Sequence, residues 1–371
     1  MKRDGALIED WLIRRVVARG FSPVFVWLLA TFIPTFYFGV LAYLTGNLWG
    51  NNEIRGFLED YNSMSSLFIG IPLVVTFYFL ANKFISECMH GLRKNQVFGR
   101  SLDERYNNFY EFLSAMKQDL SSSKWMLVGV IPPGAFVFIA GNIHHRSRSW
   151  LAHNQVAFVS MEVLWFISFW FAAVFVLRSI WAVVWINRAF QKFRIRVQPM
   201  HPDKSGGLAP LGQFSVRLGY AISAIGFIIA INQATTHYIY TGKPEAQNTL
   251  ILALGWVLYF LVSPLAFFAP IGAAHDAMLR AKREELMFFA KQFEKEYRRL
   301  KKLIAGGSFN EVDTTIEDLE KVEYLYGIVN GFPVWPFQIQ KIAQFSASVV
   351  LPFVLTVLST VVVNIVSRWI H

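Results

Sequence analysis

Seven stretches of this chain are each long and apolar enough to cross a bilayer, and that limits the fold more than any other feature. About 20 apolar residues in a helix cover the ~30 Å of hydrocarbon, and a helix satisfies its own backbone there. The windows are Phe21–Thr45, Met64–Ile85, Trp125–Ile143, Val156–Ile186, Phe214–Tyr240, Leu250–Gly272 and Ile342–Val366. The sequence therefore predicts an all-α integral membrane protein of about seven transmembrane helices. The count becomes six if the third is re-entrant, because Pro132-Pro133-Gly134 interrupts its middle.

Composition agrees. Apolar residues make up 54% of the chain and charged ones 16%, both displaced from soluble averages toward membrane proteins. The lone cysteine, Cys88, excludes an internal disulfide and any multi-cysteine metal site. Lys and Arg divide unequally between the two sets of loops, 27 against 5. The basic set faces the cytoplasm, which places the N-terminus inside and the C-terminus outside. Attraction to anionic headgroups accounts for the net charge of +10 without a nucleic acid. No cofactor is expected.

The expected organisation runs as follows. Residues 1–20 form an interfacial amphipathic helix, with Ile8, Trp11, Leu12 and Val16 on its apolar face and Arg14, Arg15 and Arg19 toward the other. Glu9, Asp10, Arg14 and Arg15 interrupt any signal-peptide core. A transmembrane hairpin (21–85) leads to a cytoplasmic amphipathic helix (86–124). There Ser101 and Glu104 offer a capping box, followed by a seam from Leu102 through Tyr106, Phe109, Leu113 and Met116 to Leu120. A transmembrane core (125–272) contains a cytoplasmic loop at 187–213. A cytoplasmic helical hairpin (273–340) breaks at Gly306-Gly307, with Asp276 capping its first helix, and 341–371 hold the last span and an outer tail. The first helix of this hairpin repeats Leu279, Leu286, Phe293 and Leu300 every seven residues. Such seams could pack on each other, on the helix ending at Leu120, or on neighbouring protomers of a homo-oligomer.

The most distinctive motif lies in the 187–213 loop, where a basic, apolar lead-in precedes His201-Pro202-Asp203-Lys204-Ser205-Gly206-Gly207-Leu208. This run, with Pro336-Phe337 after Trp335, resembles a family of uncharacterised bacterial integral membrane proteins. The resemblance covers about a tenth of the chain closely. It implies the bacterial inner membrane and a functionally important loop, but no activity. On the residues themselves, His201, Asp203, Lys204, Gly206 and Gly207 are candidates for a ligand or gating loop, since adjacent glycine amides and a lysine suit an anion. The plainer alternative is a tight turn in which Asp203 caps its own backbone. His201, Asp203, His275 and Asp276 are weak candidates for a metal, lacking any short-spaced ligand signature.

Ionisable groups inside spans usually face a protein interior or a wet cavity. Glu162 and Arg178 occupy the fourth window; Asn232, Gln233, Thr236 and His237 cluster in the fifth. These six are the candidate pore or cavity lining, with His144, His145 and His153 in the adjoining outer loop; interhelical hydrogen bonding is the alternative. Five windows carry internal prolines, as gating or ion-coordinating helices do. An oligomeric ion or small-solute channel is the simplest functional reading. A membrane-embedded sensor using the His-Pro-Asp loop is second, and an inner-face metalloenzyme third.

Overall fold

Long apolar helices make up most of the computed structural model, which describes residues 7–8, 10–18, 20–51, 54–134, 149–196, 198, 201–203, 205–239, 246–307, 311–335 and 339–370. The helices are α1 (Trp11–Ala18), α2 (Pro23–Leu44), α3 (Tyr61–Lys94), α4 (Phe109–Leu120), α5 (Lys124–Val128), α6 (Gln155–Lys192), α7 (Ala209–Ile239), α8 (Ala246–Ala305), α9 (Val312–Asn330) and α10 (Ile339–Ile370). Two strands, β1 (Phe98–Ser101) and β2 (Phe193–Ile195), pair antiparallel with Phe98 opposite Ile195 and Ser101 opposite Phe193. The all-α class therefore holds, with one small ribbon added.

Among the described residues five helices are long and apolar enough to cross a membrane: α2, α3, α6, the 209–231 part of α7 and the 255–305 part of α8. α10 contributes a shorter apolar stretch, Ile342–Leu358. Of the predicted third span, residues 135–143 lie outside the described residues. Its start is the five-residue α5, held to α6 by a Trp170 Nε1 bond to the Met126 carbonyl at 2.8 Å.

Local chemistry sets the helix boundaries. Ser22 caps α2, with Pro23 in the first turn where a missing N–H does no harm. Asp60 caps α3 through the Ser63 amide. A π-helical turn, Ser66–Gly70, ends just before Pro72 and absorbs the break that proline imposes. Asn154 caps α6, whose 38 residues reach about 57 Å, well beyond the hydrocarbon. α6 stops where Phe193 becomes extended and enters β2.

Three sequence expectations change. The Ser101–Glu104 capping box does not start a helix, because Ser101 ends β1 and Leu102 N–H bonds the Lys192 carbonyl at 2.8 Å. α4 starts at Phe109 instead. Asn108 accepts from the Tyr110 and Glu111 amides, while Glu111 accepts from the Asn107 amide. Asp276 caps nothing: α8 runs unbroken through it for 60 residues, carrying Pro264 and Pro270 inside. At 1.5 Å per residue that is about 90 Å, so one rod joins the sixth apolar window to the hairpin that follows it. Lastly, α4 packs on α6 rather than forming a bundle with the hairpin.

The hairpin itself forms. Gly307, at φ +72°, reverses the chain after α8, and Arg299 meets Glu311 across the turn at 3.2 Å. At the other end Lys282 donates to the Asn330 and Phe332 carbonyls at 2.6 and 3.1 Å. The α7, α8 and α10 helices pack together around Phe267 and Phe345, whose rings stack at 4.1 Å. A larger core joins α3, α4, α6, the start of α7 and, unexpectedly, the N-terminal segment.

Candidate functional site

Arg178 lies two-thirds of the way along α6, and only 1% of it is exposed. A guanidinium in such a place needs a counter-charge. It is supplied by Asp10, 5% exposed, whose Oδ2 lies 2.5 Å from Arg178 Nη1. Tyr78, on α3, donates its hydroxyl to the same Oδ2 at 2.7 Å. Arg178 Nη1 is also 3.4 Å from the Tyr78 oxygen. The other carboxylate oxygen, Oδ1, accepts the Leu12 and Ile13 amides at 3.0 and 2.7 Å and so caps α1. One carboxylate thus starts a helix and neutralises a buried cation.

The backbone before Asp10 is held by the same face of α3. Leu7 N–H bonds Ser86 Oγ and Ile8 N–H bonds Asn82 Oδ1, both at 2.9 Å. Tyr78, Asn82 and Ser86 are spaced by four, so they stand one above another on one side of the helix. They form a polar rail about 12 Å long along which Leu7, Ile8 and Asp10 lie, with Asp10 at the far end. Leu7, Ile8 and Ile13 are buried in the main core.

This differs from the expected helix over 1–20: among its described residues the helix is Trp11–Ala18, and Ile8 and Ile13 are buried whereas Trp11 is 58% exposed. The demand of Arg178 for a carboxylate draws the segment inward. Asp10 entered the sequence argument only as a charge that interrupts a signal peptide. Two signals pointed further: an arginine in a span needs a partner, and Tyr78, Asn82 and Ser86 recur at i, i+4 and i+8 on one face of α3.

Of the remaining candidate lining residues, the two whose side chains are described do not meet Arg178. Glu162 is sixteen residues earlier on α6, about 24 Å away along the axis. It is buried, with neither carboxyl oxygen bonded among the described residues. Gln233 accepts from Trp256 Nε1 at 2.8 Å, the interhelical bond anticipated as the alternative. The side chains of Asn232, Thr236 and His237, and residues His144 and His145, lie outside the described residues. His153 Nδ1 is 3.2 Å from the Ser149 carbonyl.

In the His201–Leu208 loop, Asp203 turns the local amides onto itself. Oδ1 accepts from Ser205 and Gly207 at 2.9 and 3.0 Å, and Oδ2 accepts from Ala209 at 3.2 Å. His201 Nδ1 lies 2.8 Å from Oδ1. Burial raises the Asp203 pKa, but the Gly207, Ser205 and Ala209 amides and His201 outweigh it, and the carboxyl is held below its ordinary range. Gly206 and Gly207 take φ of +64° and +93°, and Asn95 of the α3 terminus donates to the Gly207 carbonyl at 2.8 Å. The loop is thus stitched to the end of α3, and Asp203 caps α7. Lys204 lies outside the described residues.

Of the candidate metal ligands, His201 meets Asp203 and His275 is engaged elsewhere. His275 Nδ1 is 2.8 Å from the Val334 carbonyl, its ring stacked on Trp335 at 4.1 Å, and Asp276 is exposed. Among the described residues no three His, Cys, Asp or Glu side chains converge to hold a metal ion.

A second, half-buried acid fastens α4 to α6. Asp119, near the end of α4, accepts from Trp185 Nε1 at 2.9 Å, from Trp181 Nε1 and from Lys124. Burial pushes its carboxyl up, yet those three donors bring it below the ordinary value. Asp103 similarly joins Arg105 and Lys192 beside the β-ribbon. The five long apolar helices are consistent with an integral membrane protein. Comparison with protein families, curated proteins and solved structures returns no match.

Proposed function

We propose that this chain is a transport protein of the bacterial inner membrane. The simplest form is a homo-oligomeric ion or small-solute channel with about seven spans, its N-terminus inside and its C-terminus outside. In this reading the N-terminal arm gates the path by docking Asp10 onto Arg178. The observation that carries it is the unequal attachment of this pair: Arg178 is fixed in a long spanning helix, whereas Asp10 sits on a short arm before the first span. A buried pair whose one member can withdraw makes a two-state element. The π-turn beside Pro72 gives α3, which carries the rail, a place to bend. The His-Pro-Asp loop favours a sensor less, because Asp203 already occupies the amides that would greet an anion.

The test is flux in proteoliposomes containing anionic lipid. Asp10→Asn weakens the latch and should raise the flux of sodium, potassium, chloride or acetate above that of the parent chain. Absence of flux for all four ions in both proteins, at either polarity of voltage, would overturn the transport reading.

A further inference from the structure

We infer that Arg178 and Tyr78 form a carboxylate-binding site in the helical core, which Asp10 fills as a tethered occupant while the arm is docked. The two donors belong to the body of the protein, on α6 and α3, and both point at Oδ2 of Asp10. The rest of the guanidinium is unused: Nε and Nη2 are buried with no partner among the described residues. A free carboxylate can take two parallel bonds from a guanidinium, which Asp10 cannot, since its Oδ1 is committed to the Leu12 and Ile13 amides. The site therefore offers an untethered ligand more than it gives its own arm. Below it, Asn82 Oδ1 and Ser86 Oγ accept N–H groups from the arm. They would do the same for a ligand carrying amide N–H groups behind its carboxylate. This rail separates the site from a simple ion pair, which needs no acceptors beside the donors.

The inference goes beyond the gate and does not require that anything cross the membrane, so its readout is stability rather than flux. The full-length Asp10→Ala protein removes the occupant and leaves Arg178, Tyr78, Asn82 and Ser86 in place. Cys88 is the sole cysteine and is buried, so a thiol-reactive dye reports unfolding directly. Acetate should raise the Tm of Asp10→Ala by about 2–4 °C over chloride at equal ionic strength. The parent chain, with its site filled, and Asp10→Ala/Arg178→Met, with its site removed, should show no such difference. Equal response to acetate and chloride in Asp10→Ala would overturn the inference, as would an equal acetate effect in all three proteins. If Asp10→Ala gives no folded protein, Asp10→Asn keeps the shape of the cap and removes its charge. Acetate should then compete with the arm and speed hydrogen exchange at residues 7–13, and unchanged exchange would reject the site.

Discussion

Arg178 and Asp10 are 168 residues apart in sequence, yet Nη1 of one lies 2.5 Å from Oδ2 of the other inside the core. Removing either partner strands a charge, and the two losses differ. Arg178 has no other acid bonded to it among the described residues, while Asp10 keeps Tyr78 and two amides. Asp10→Asn keeps the helix cap but leaves Arg178 without a counter-charge, and should destabilise by about 3–5 kcal/mol, the usual loss on breaking a buried pair from one side. Arg178→Leu leaves Asp10 its three other donors and should lose less. Asp10→Asn/Arg178→Leu should recover part of the deficit, because no charge is then left alone. Thermal unfolding of the four proteins decides it; strictly additive losses would show that the two residues do not couple.

The long apolar helices were legible because hydrocarbon imposes length and polarity on any helix that crosses it. The arm was not, because its docking depends on one long-range charge, and no local periodicity reports that Asp10 pairs with Arg178. The helix expected at Leu102 failed for a related reason. Ser101 and Glu104 satisfy the local pattern, but pairing of Phe98–Ser101 with Phe193–Ile195 supplies other partners for the backbone. The break expected at Asp276 is absent since a cap is optional where apolar contacts continue on both sides, as Ala274, Ala277 and Met278 do here. Asp203, by contrast, was anticipated as one of two alternatives. Its neighbours Pro202, Gly206 and Gly207 fix a turn whatever the rest of the chain does.

Asp203 sets an acid-side limit on the loop. Its pKa in the folded chain is below the unfolded ~3.9, so it adds stability above that value and loses it as pH falls through the folded pKa. The Tm of the parent chain should fall on acidification below about pH 4, and Asp203→Asn should flatten part of that fall. Asp203→Ala at neutral pH leaves three amides without their acceptor, a loss of about 1–3 kcal/mol. Gly207→Val should lose a similar amount, about 1–3 kcal/mol, from forcing a β-branched residue to positive φ. Its Cβ would also meet Val97 at 3.2 Å. Identical acid profiles for Asp203→Asn and parent would remove Asp203 from this role.

Contact between α7 and α8 depends on a missing side chain. A Cβ on Gly226 would come within 2.4 Å of the Tyr259 ring, whose hydroxyl donates to the Val349 carbonyl of α10 at 3.0 Å. Displacing that ring disturbs three helices together. Gly226→Val should destabilise by about 1–3 kcal/mol through overpacking, and Gly226→Ala by less. Adding Tyr259→Ala to Gly226→Val should restore some of the loss, because the clash is with that ring alone. A Gly226→Val protein that melts with the parent would mean that α7 and α8 are not packed this closely.

Glu162 is the one candidate lining residue that is buried and without a bonded partner among the described residues. A structural role would need contacts that its carboxyl oxygens do not make, and burying such a group is unfavourable in itself. Glutamine has the same shape and no charge. Glu162→Gln should therefore fold at least as well as the parent, with an equal or higher Tm. If Glu162 serves a conduction path, the same protein should show reduced flux in proteoliposomes that hold equal amounts of folded protein. The two measurements separate the possibilities. A lower Tm with unchanged flux per folded molecule would make Glu162 part of the packing, whereas an intact fold with altered flux places it on the path.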